Sequence, residues 1–482
     1  MNLTLDMPAI VPGSYIDGRW IEEEGTTIFD RRNPSKWSEI TARVPMGTAS
    51  AVAAASQAAV KTQASWSCRS GSTRTAILSD WAAGIEAQED ELARLLVLEI
   101  GKPIRTARDE VLKACEFIRA ATRQLEAERK RIETMESRAR IWHRPLGVVG
   151  LITPWNNPLA IPAGKIAAAL VFGNGVVWKP AIEAPRTAMA MMELLREAAI
   201  PPGLVNLVFG NADTAHSIAE QAGVAALSVT GSIFTGRSVA AQCSRLRKPL
   251  QCELGGNNAA VVLEDCDIEA VARPLALSAF LSAGQRCTAV RRFVVVKSVA
   301  DEFEQDFSRA IETLHVGDPA HEKTEVGPLV SMEHRDNVLL AIRNAIGEGA
   351  ELVLGADTPD RLDAGCWLSP AVLRDVSSDS GIVREETFGP VAVILPVDGL
   401  DEAIEQVNGV EQGLVAVLCS SSESHRRTFA DRVEAGIIQF NAGPLDVDPH
   451  APFGGWKASG MGPPEHGAWD REFYSRPQAI YG

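Results

Sequence analysis

The sequence lacks several features that would fix its class at once. It has no Cys-x-x-Cys pair, and its 8 cysteines are scattered without regular spacing or clustered histidines. That excludes a disulfide framework and a zinc site, and it points to a reducing compartment. No apolar run approaches the roughly 18 to 20 residues that a membrane span requires. The opening stretch, 1–15, carries Asp6 and two prolines but no basic segment ahead of an apolar core, so it does not read as a secretory signal. Positive charge is in deficit as well. Lys and Arg number 47 against 62 Asp and Glu, and the net charge of −15 argues against nucleic acid as a partner. No internal repeat or low-complexity segment stands out. What is left is a cytoplasmic, soluble globular protein, without metal or membrane, whose 482 residues are too many for one small core.

Apolar spacing predicts helices over 49–66, 73–87 and 90–100, closed by the stop signal Gly101-Lys102-Pro103. Another helix is expected over 106–126. From 129 to 143 charge dominates, and neither Pro nor Gly intervenes before Pro145. Two readings of this stretch are open: a charged two-stranded ribbon, whose charge protects an edge meant for a chosen partner, and a solvated helix extension. Short apolar strands then alternate with helices. Strands fall at 146–152, 175–179, 204–209 and 226–230, and a second series begins at 259 with a helix over 268–282. This pattern predicts an α/β protein with two doubly wound parallel-sheet domains, the first Rossmann-like, meeting near Gly255-Gly256.

The chemistry concentrates at a few points. Cys287 closes the run FLSAGQRCTA (280–289), where a preceding glycine lets backbone approach a ligand and Arg286 brings positive charge that favours a thiolate. Glu253 sits in CELGGNN (252–258), beside two glycines. We read Cys287 as a nucleophile and Glu253 as its partner base. Three stretches follow strands at the carboxyl edge, where such sheets bind ligands: TPWNNP (153–158), KPAIEAP (179–185) and TGSIFTG (230–236). In the last, Gly231 and Gly236 frame Ser232 and suit a close approach to phosphate, although such a glycine pair also reads as an ordinary turn. Lys179 is placed to bind phosphate or ribose, or is simply solvated.

Taken in order, WNNP, KP, TGS, ELGG, GQRCT, EETFGPV (385–391) and PFGGWKASG (452–460) resemble the aldehyde dehydrogenase superfamily, from Gly13 nearly to the C-terminus. The resemblance implies three parts. A cofactor domain would span 1–126 and 146–256, and a catalytic domain 257–469. An oligomerisation element would span 127–145 and 470–482, making a homodimer or homotetramer. It also implies that Cys287 attacks an aldehyde, that Asn156 and the Cys287 N–H hold the oxyanion, and that Glu253 activates water against the thioester. The cofactor would be NAD, with NADP possible. Ile152, Trp155 and Leu254 would line its pocket, Lys179 would hold the adenosine ribose and Ser232 the pyrophosphate. Glu386 would hold the nicotinamide ribose, and Phe388 would pack near the ring or be a core aromatic.

The chain also departs from the family pattern. Where NAD-preferring members carry a glutamate it has Ile182, with the acid one position later at Glu183, so use of both cofactors is expected, with a lean to NAD. Asn157 and Gly164 stand where many members have large side chains. Together with Thr288 they are expected to line a widened funnel for bulky or aromatic aldehydes. Arg286 has two readings: pairing with an acidic semialdehyde, or a role toward Cys287 and the local structure. A coenzyme A-acylating relative is disfavoured by Glu253, and a non-enzymatic binding or structural protein by the intact Cys287, Glu253 and Asn156.

Overall fold

The computed structural model describes residues 11–23, 25–132, 139–359 and 364–481. Its central strands are apolar on both faces, as a sheet covered by helices on either side requires. Val148–Ile152, Gly175–Lys179 and Asn258–Val262 are buried along their whole length. Several of the helices between strands open on polar caps: Asn211, Ser232 and Asp267 each accept a backbone N–H from the first turn.

Among the described residues the strands form two large sheets. The first has eight strands, in the order Arg19–Ile21, Ser14–Ile16, Val205–Leu207, Gly175–Lys179, Val148–Ile152, Val224–Thr230, Leu250–Glu253 and Gly460–Met461. Its middle strands, from Val205–Leu207 to Leu250–Glu253, run parallel. The chain enters at Val148–Ile152, moves outward through Gly175–Lys179 and Val205–Leu207, then returns to the other side of its starting strand. The order therefore reverses between Val148–Ile152 and Val224–Thr230, and the crevice beyond their carboxyl ends is the natural ligand site.

The second sheet has seven strands, in the order Glu351–Leu354, Ala371–Arg374, Val391–Val397, Val290–Val296, Asn258–Val262, Val415–Cys419 and Ile437–Phe440. The chain crosses from the first sheet to the second through Gly255-Gly256. Much later Gly460–Met461 returns to pair with Leu250–Glu253, placing Gly460 opposite Glu253. This return brings the 463–466 segment beside the carboxyl edge of the first sheet.

The charged stretch combines both of its readings. The helix Ile104–Ile132 runs past 126 and into this stretch, because nothing in that sequence stops it. A strand does form, at Ala139–Pro145, but its antiparallel partner is Ser475–Tyr481 at the other end of the chain. Residues 133–138 lie outside the described residues, as do 1–10. No described helix is long and apolar enough to cross a membrane. The 8 cysteines are free, and no described cluster of side chains could hold a metal.

Candidate active site

The loop that carries Cys287 is a strained turn. The helix Ile268–Phe280 stops short of the expected 282, because Ser282, Ala283 and Gly284 all adopt left-handed backbone, with φ of 57°, 56° and 67°. Such conformations cost of order 1–3 kcal/mol for a residue with a Cβ and persist only where neighbours over-determine them. Here the Ser282 N–H donates to the Glu325 carbonyl at 3.0 Å. Gln285 donates from Nε2 to the Pro328 carbonyl at 3.2 Å and accepts the Val330 N–H at 2.8 Å. A Cβ on Gly284 would lie 2.3 Å from the Gly389 carbonyl oxygen, so no other residue fits there.

Two side chains then fix the backbone around Cys287. Arg291 donates from Nη1 to the carbonyls of Gly256 and Ala289 at 3.0 and 3.1 Å. From Nη2 it donates to those of Gly284 and Arg286 at 2.9 and 3.1 Å. Asn258 Nδ2 donates to the carbonyls of Cys287 and Ala289 at 2.7 and 2.8 Å. Cys287 is thereby held between the amino end of Val290–Val296 and the carboxyl end of Leu250–Glu253.

The electrostatics qualify one expectation. Burial pushes the Cys287 thiol up to about 12, with Glu386 and Glu253 adding to the rise and Arg291 and Arg286 opposing it. Arg286 favours the thiolate, as its place in the sequence suggests, but burial outweighs it. Its Nη2 donates to the carbonyls of Leu277 and Ser278 at 3.1 and 2.6 Å, at the carboxyl end of Ile268–Phe280 where a cation suits the helix dipole. Burial, and then Glu465, push the Glu253 carboxyl well above the usual carboxylate range; Lys165 and the Gly455 N–H, which donates to Oε2 at 3.2 Å, oppose the shift. Glu465 is ion-paired with Lys165, whose Nζ also donates to Ser228 Oγ at 2.6 Å. Asn156 is buried, and its Nδ2 reaches the Gln285 carbonyl at 3.2 Å, which aims the amide at the Cys287 loop.

Two cavities meet here, one of 900 Å³ and one of 550 Å³, and Trp155, Asn156, Thr230, Glu253, Leu254 and Cys287 line both. The larger lies at the switch in strand order and is lined by Ile152, Lys179, Glu183, Gly231, Ser232, Glu386 and Phe388. Gly231 and Ser232 lead into the helix Ile233–Leu246, whose first N–H groups suit a diphosphate. Glu386 accepts the Gly256 N–H at 3.2 Å and faces Arg291 at 3.5 Å. Phe388 meets Trp155 edge to face, with centroids 5.5 Å apart. This string of groups fits an extended dinucleotide. Gly236 does not belong to it: a Cβ there would fall 2.4 Å from Leu254 Cδ1, so this glycine serves packing. Lys179 lines the cavity while its Nζ donates to the Pro180 carbonyl at 3.1 Å.

The smaller cavity is lined by Asn157, Arg286 and Thr288, as expected, but not by Gly164. The widening expected at Gly164 is not found there. The rings of Phe117 and His466 stack 4.2 Å apart at 23°. A Cβ on Gly164 would lie 3.3 Å from His466 Cε1 and 3.4 Å from Phe117 Cδ2, so the stack already occupies that room. Asn157 accepts from Lys102 Nζ at 2.7 Å, and Lys102 is in turn ion-paired with the buried Glu110. Glu110 Oε1 accepts the N–H groups of Leu159 and Ala160 at 2.9 and 3.2 Å and so anchors the loop that carries Asn156.

Sequence reasoning missed Lys102, Glu110, Phe117, Lys165, Arg291, Glu465 and His466. Lys102 was legible only as part of a helix stop. Glu110 and Phe117 share a helical face with Thr106 and Lys113, at spacings of three and four, and that regularity was the available signal.

Comparison with known proteins agrees with this geometry. Residues 20–480 match the model of the Aldehyde dehydrogenase family. The alpha-ketoglutaric semialdehyde dehydrogenase of Bacillus subtilis (strain 168) is 32% identical over 476 residues, covering 97% of each chain. The phenylacetaldehyde dehydrogenase of Pseudomonas fluorescens is 35% identical, covering 96% of this chain and 94% of its own. Among solved structures, the aldehyde dehydrogenase C of Pseudomonas syringae, in complex with NAD+ and octanal, superposes with a TM-score of 0.94 at 33% identity, covering 98% of this chain and 97% of its own. The Cys287 loop, the nearby Glu253 carboxylate and the two cavities that meet between them thus sit in a chain that belongs to the aldehyde dehydrogenase family.

Proposed function

We propose that this chain oxidises a bulky or aromatic aldehyde to its carboxylic acid with NAD(P)+, by covalent catalysis at Cys287. The observation that carries the reading is the meeting of the two cavities at Cys287, Glu253 and Asn156. Cys287 Sγ gives up its proton to solvent water in the cavity and bonds to the aldehyde carbon. The carbonyl oxygen becomes an oxyanion, held by Asn156 Nδ2 and the Cys287 N–H. Lys179, Ser232 and Glu386 would hold a nicotinamide dinucleotide, which when bound would supply the acceptor for the hydride that leaves this carbon. Loss of two electrons turns the thiohemiacetal into a thioester. Glu253 then takes a proton from water, the water oxygen bonds to the acyl carbon, and the C–S bond breaks to release acid and thiolate.

The substrate class rests on the smaller cavity. Its wall carries the rings of Phe117, Trp155, Phe453 and His466. The acidic semialdehyde alternative needs an uncommitted cation, and the lining Lys and Arg side chains are engaged. Lys102 holds Glu110 and Asn157, Lys113 holds Asp446 and Glu116, and Arg286 holds helix carbonyls. Glu183 lines the cofactor cavity beside Ile182, which supports a lean to NAD without a charge set to reject NADP. The ribbon of Ala139–Pro145 and Ser475–Tyr481 leaves Trp142 49% and Tyr481 78% exposed, a surface suited to a second copy of the chain. An aldehyde panel, aromatic against aliphatic against acidic, run with both cofactors, tests the assignment. Reduced nicotinamide should form fastest with aromatic aldehydes, and fastest turnover of acidic ones would overturn the substrate class.

A further inference from the structure

His466 is the least expected group in the smaller cavity. Its backbone is left-handed, with φ 69°, a conformation uncommon outside glycine. The surroundings impose it from both sides. The preceding residue, Glu465, exchanges backbone hydrogen bonds with Phe453 at 2.7 and 2.8 Å. The His466 N–H donates to Asp470 Oδ1 at 2.9 Å, and Asp470 is itself held by Gln124 Nε2 at 2.7 Å. The following residue must be glycine, because a Cβ on Gly467 would fall 2.4 Å from the His450 carbonyl oxygen. This much backbone constraint fixes where one imidazole points.

It points into the cavity and onto Phe117. The two rings lie nearly parallel, and Phe453 closes the corner with its centroid 6.2 Å from the imidazole. Burial pushes the imidazole down to about 4, so the ring is neutral at physiological pH, with one nitrogen donating and the other accepting. Among the described residues neither nitrogen has a hydrogen-bond partner, although the ring lines the cavity. The wall is thus a flat aromatic surface carrying one unused neutral hydrogen-bonding group, next to cations that are already engaged.

We infer that His466 is a specificity-determining residue, whose ring faces the ring of an aromatic aldehyde and hydrogen-bonds a neutral polar substituent on it, of the hydroxyl type. This rests on the aldehyde-oxidising reading above. A flexible alkyl chain gains from the apolar wall but not from the nitrogen, and an anionic tail gains no charge partner from a neutral ring.

The test compares the full-length protein with His466→Phe, which keeps a ring and removes the nitrogens. Each is assayed with NAD+ on benzaldehyde, 3- and 4-hydroxybenzaldehyde and octanal, with the product acid quantified by chromatography. The unaltered protein should favour a hydroxylated over the unsubstituted aromatic by about threefold to tenfold in kcat/KM, and His466→Phe should abolish that ratio. Circular dichroism and the thermal melt of the same samples report the folded fraction. Gly164→Ala, which crowds the imidazole without touching its chemistry, should lower the same ratio and serves if His466→Phe does not fold. An unchanged ratio in a variant that still oxidises octanal overturns the role of His466 alone. Failure of the unaltered protein to oxidise any aldehyde overturns the proposed function itself.

Discussion

The two cavities that meet at Cys287 are built in different ways. The larger is built around strand ends, the first turns of helices and glycines at close approaches, many of them from short continuous stretches such as 152–156 and 230–232. The smaller is walled by side chains drawn from one helical face of Ile104–Ile132, the Cys287 loop and the returning segment at 444–466. A backbone site tolerates few changes, because a Cβ in the wrong place blocks it. A side-chain site can trade one filling for another, as Phe117 and His466 fill the room above Gly164. On the proposed function, cofactor grip would follow the first kind of wall and substrate choice the second.

The largest effects should come from the floor the cavities share. Cys287→Ala should lower kcat by roughly 10⁴-fold or more. Asn156→Ala should cost roughly 10²–10³ in kcat, the usual loss for one oxyanion donor. If Asn156→Ala instead raised only KM, the amide would belong to the substrate wall and the comparison would break there. Glu253→Gln should lower steady-state turnover by roughly 10²–10⁴ and yet leave a first-turnover burst of reduced nicotinamide, because only the water step needs the base. Loss of the burst would assign Glu253 to the first half of the reaction.

The thiol gives a test by pH. Because burial pushes Cys287 up to about 12, alkylation of the free enzyme by iodoacetamide should keep accelerating from about pH 6 to pH 10, with no plateau near the ordinary thiol value of about 8.5. A plateau near pH 8 would mean that the loop, with Arg291 and Arg286, stabilises thiolate against its burial. On the cofactor side, NAD and NADP should differ in kcat/KM by less than about a thousandfold, some 4 kcal/mol. Glu183→Lys should move the ratio toward NADP, and an unmoved ratio would place Glu183 away from the adenosine ribose.

The smallest effect lies behind the His466 wall. Asp470 is buried and its carboxyl is pushed up to about 7. A folded-state value raised above the unfolded one contributes stability that is fully present below the unfolded value and lost as pH rises through about 7. Asp470→Asn keeps an acceptor for the His466 N–H, and its amide can donate to Gln124 Oε1, which lacks a partner, once that side chain turns over. The thermal stability of Asp470→Asn relative to the parent should therefore improve as pH rises from about 6 to about 8. A pH-independent difference would show that the buried charge has no consequence.

The same contrast explains what could be read from the sequence. The strands, the crossing at Gly255-Gly256 and the groups Cys287, Glu253, Asn156, Ser232 and Glu386 sit in compact motifs, where neighbours in sequence are neighbours in space. Lys102, Glu110 and Phe117 sit on a helix whose regular pattern says only that one face is covered. Glu465 and His466 are brought in by the return of Gly460–Met461 to the first sheet, a pairing across more than 200 residues that local pattern does not report. Arg286 was legible in part. Its place beside Cys287 in sequence suggested a charge for the thiol, and that charge does oppose the rise of the thiol, but burial outweighs it and the guanidinium also donates to the carbonyls of the preceding helix. The stretch from 129 to 143 combined a helix end with a strand whose partner lies at the opposite terminus.

The central claim is that an acyl group passes through Cys287 on the floor shared by both cavities. The most direct measurement is intact and peptide mass spectrometry of Glu253→Gln mixed with benzaldehyde and NAD+ and quenched in acid. The protein should gain one benzoyl group in place of one thiol hydrogen, on the peptide that carries Cys287. An unmodified protein that has nevertheless formed reduced nicotinamide, or an acyl group on any other residue, would contradict the account.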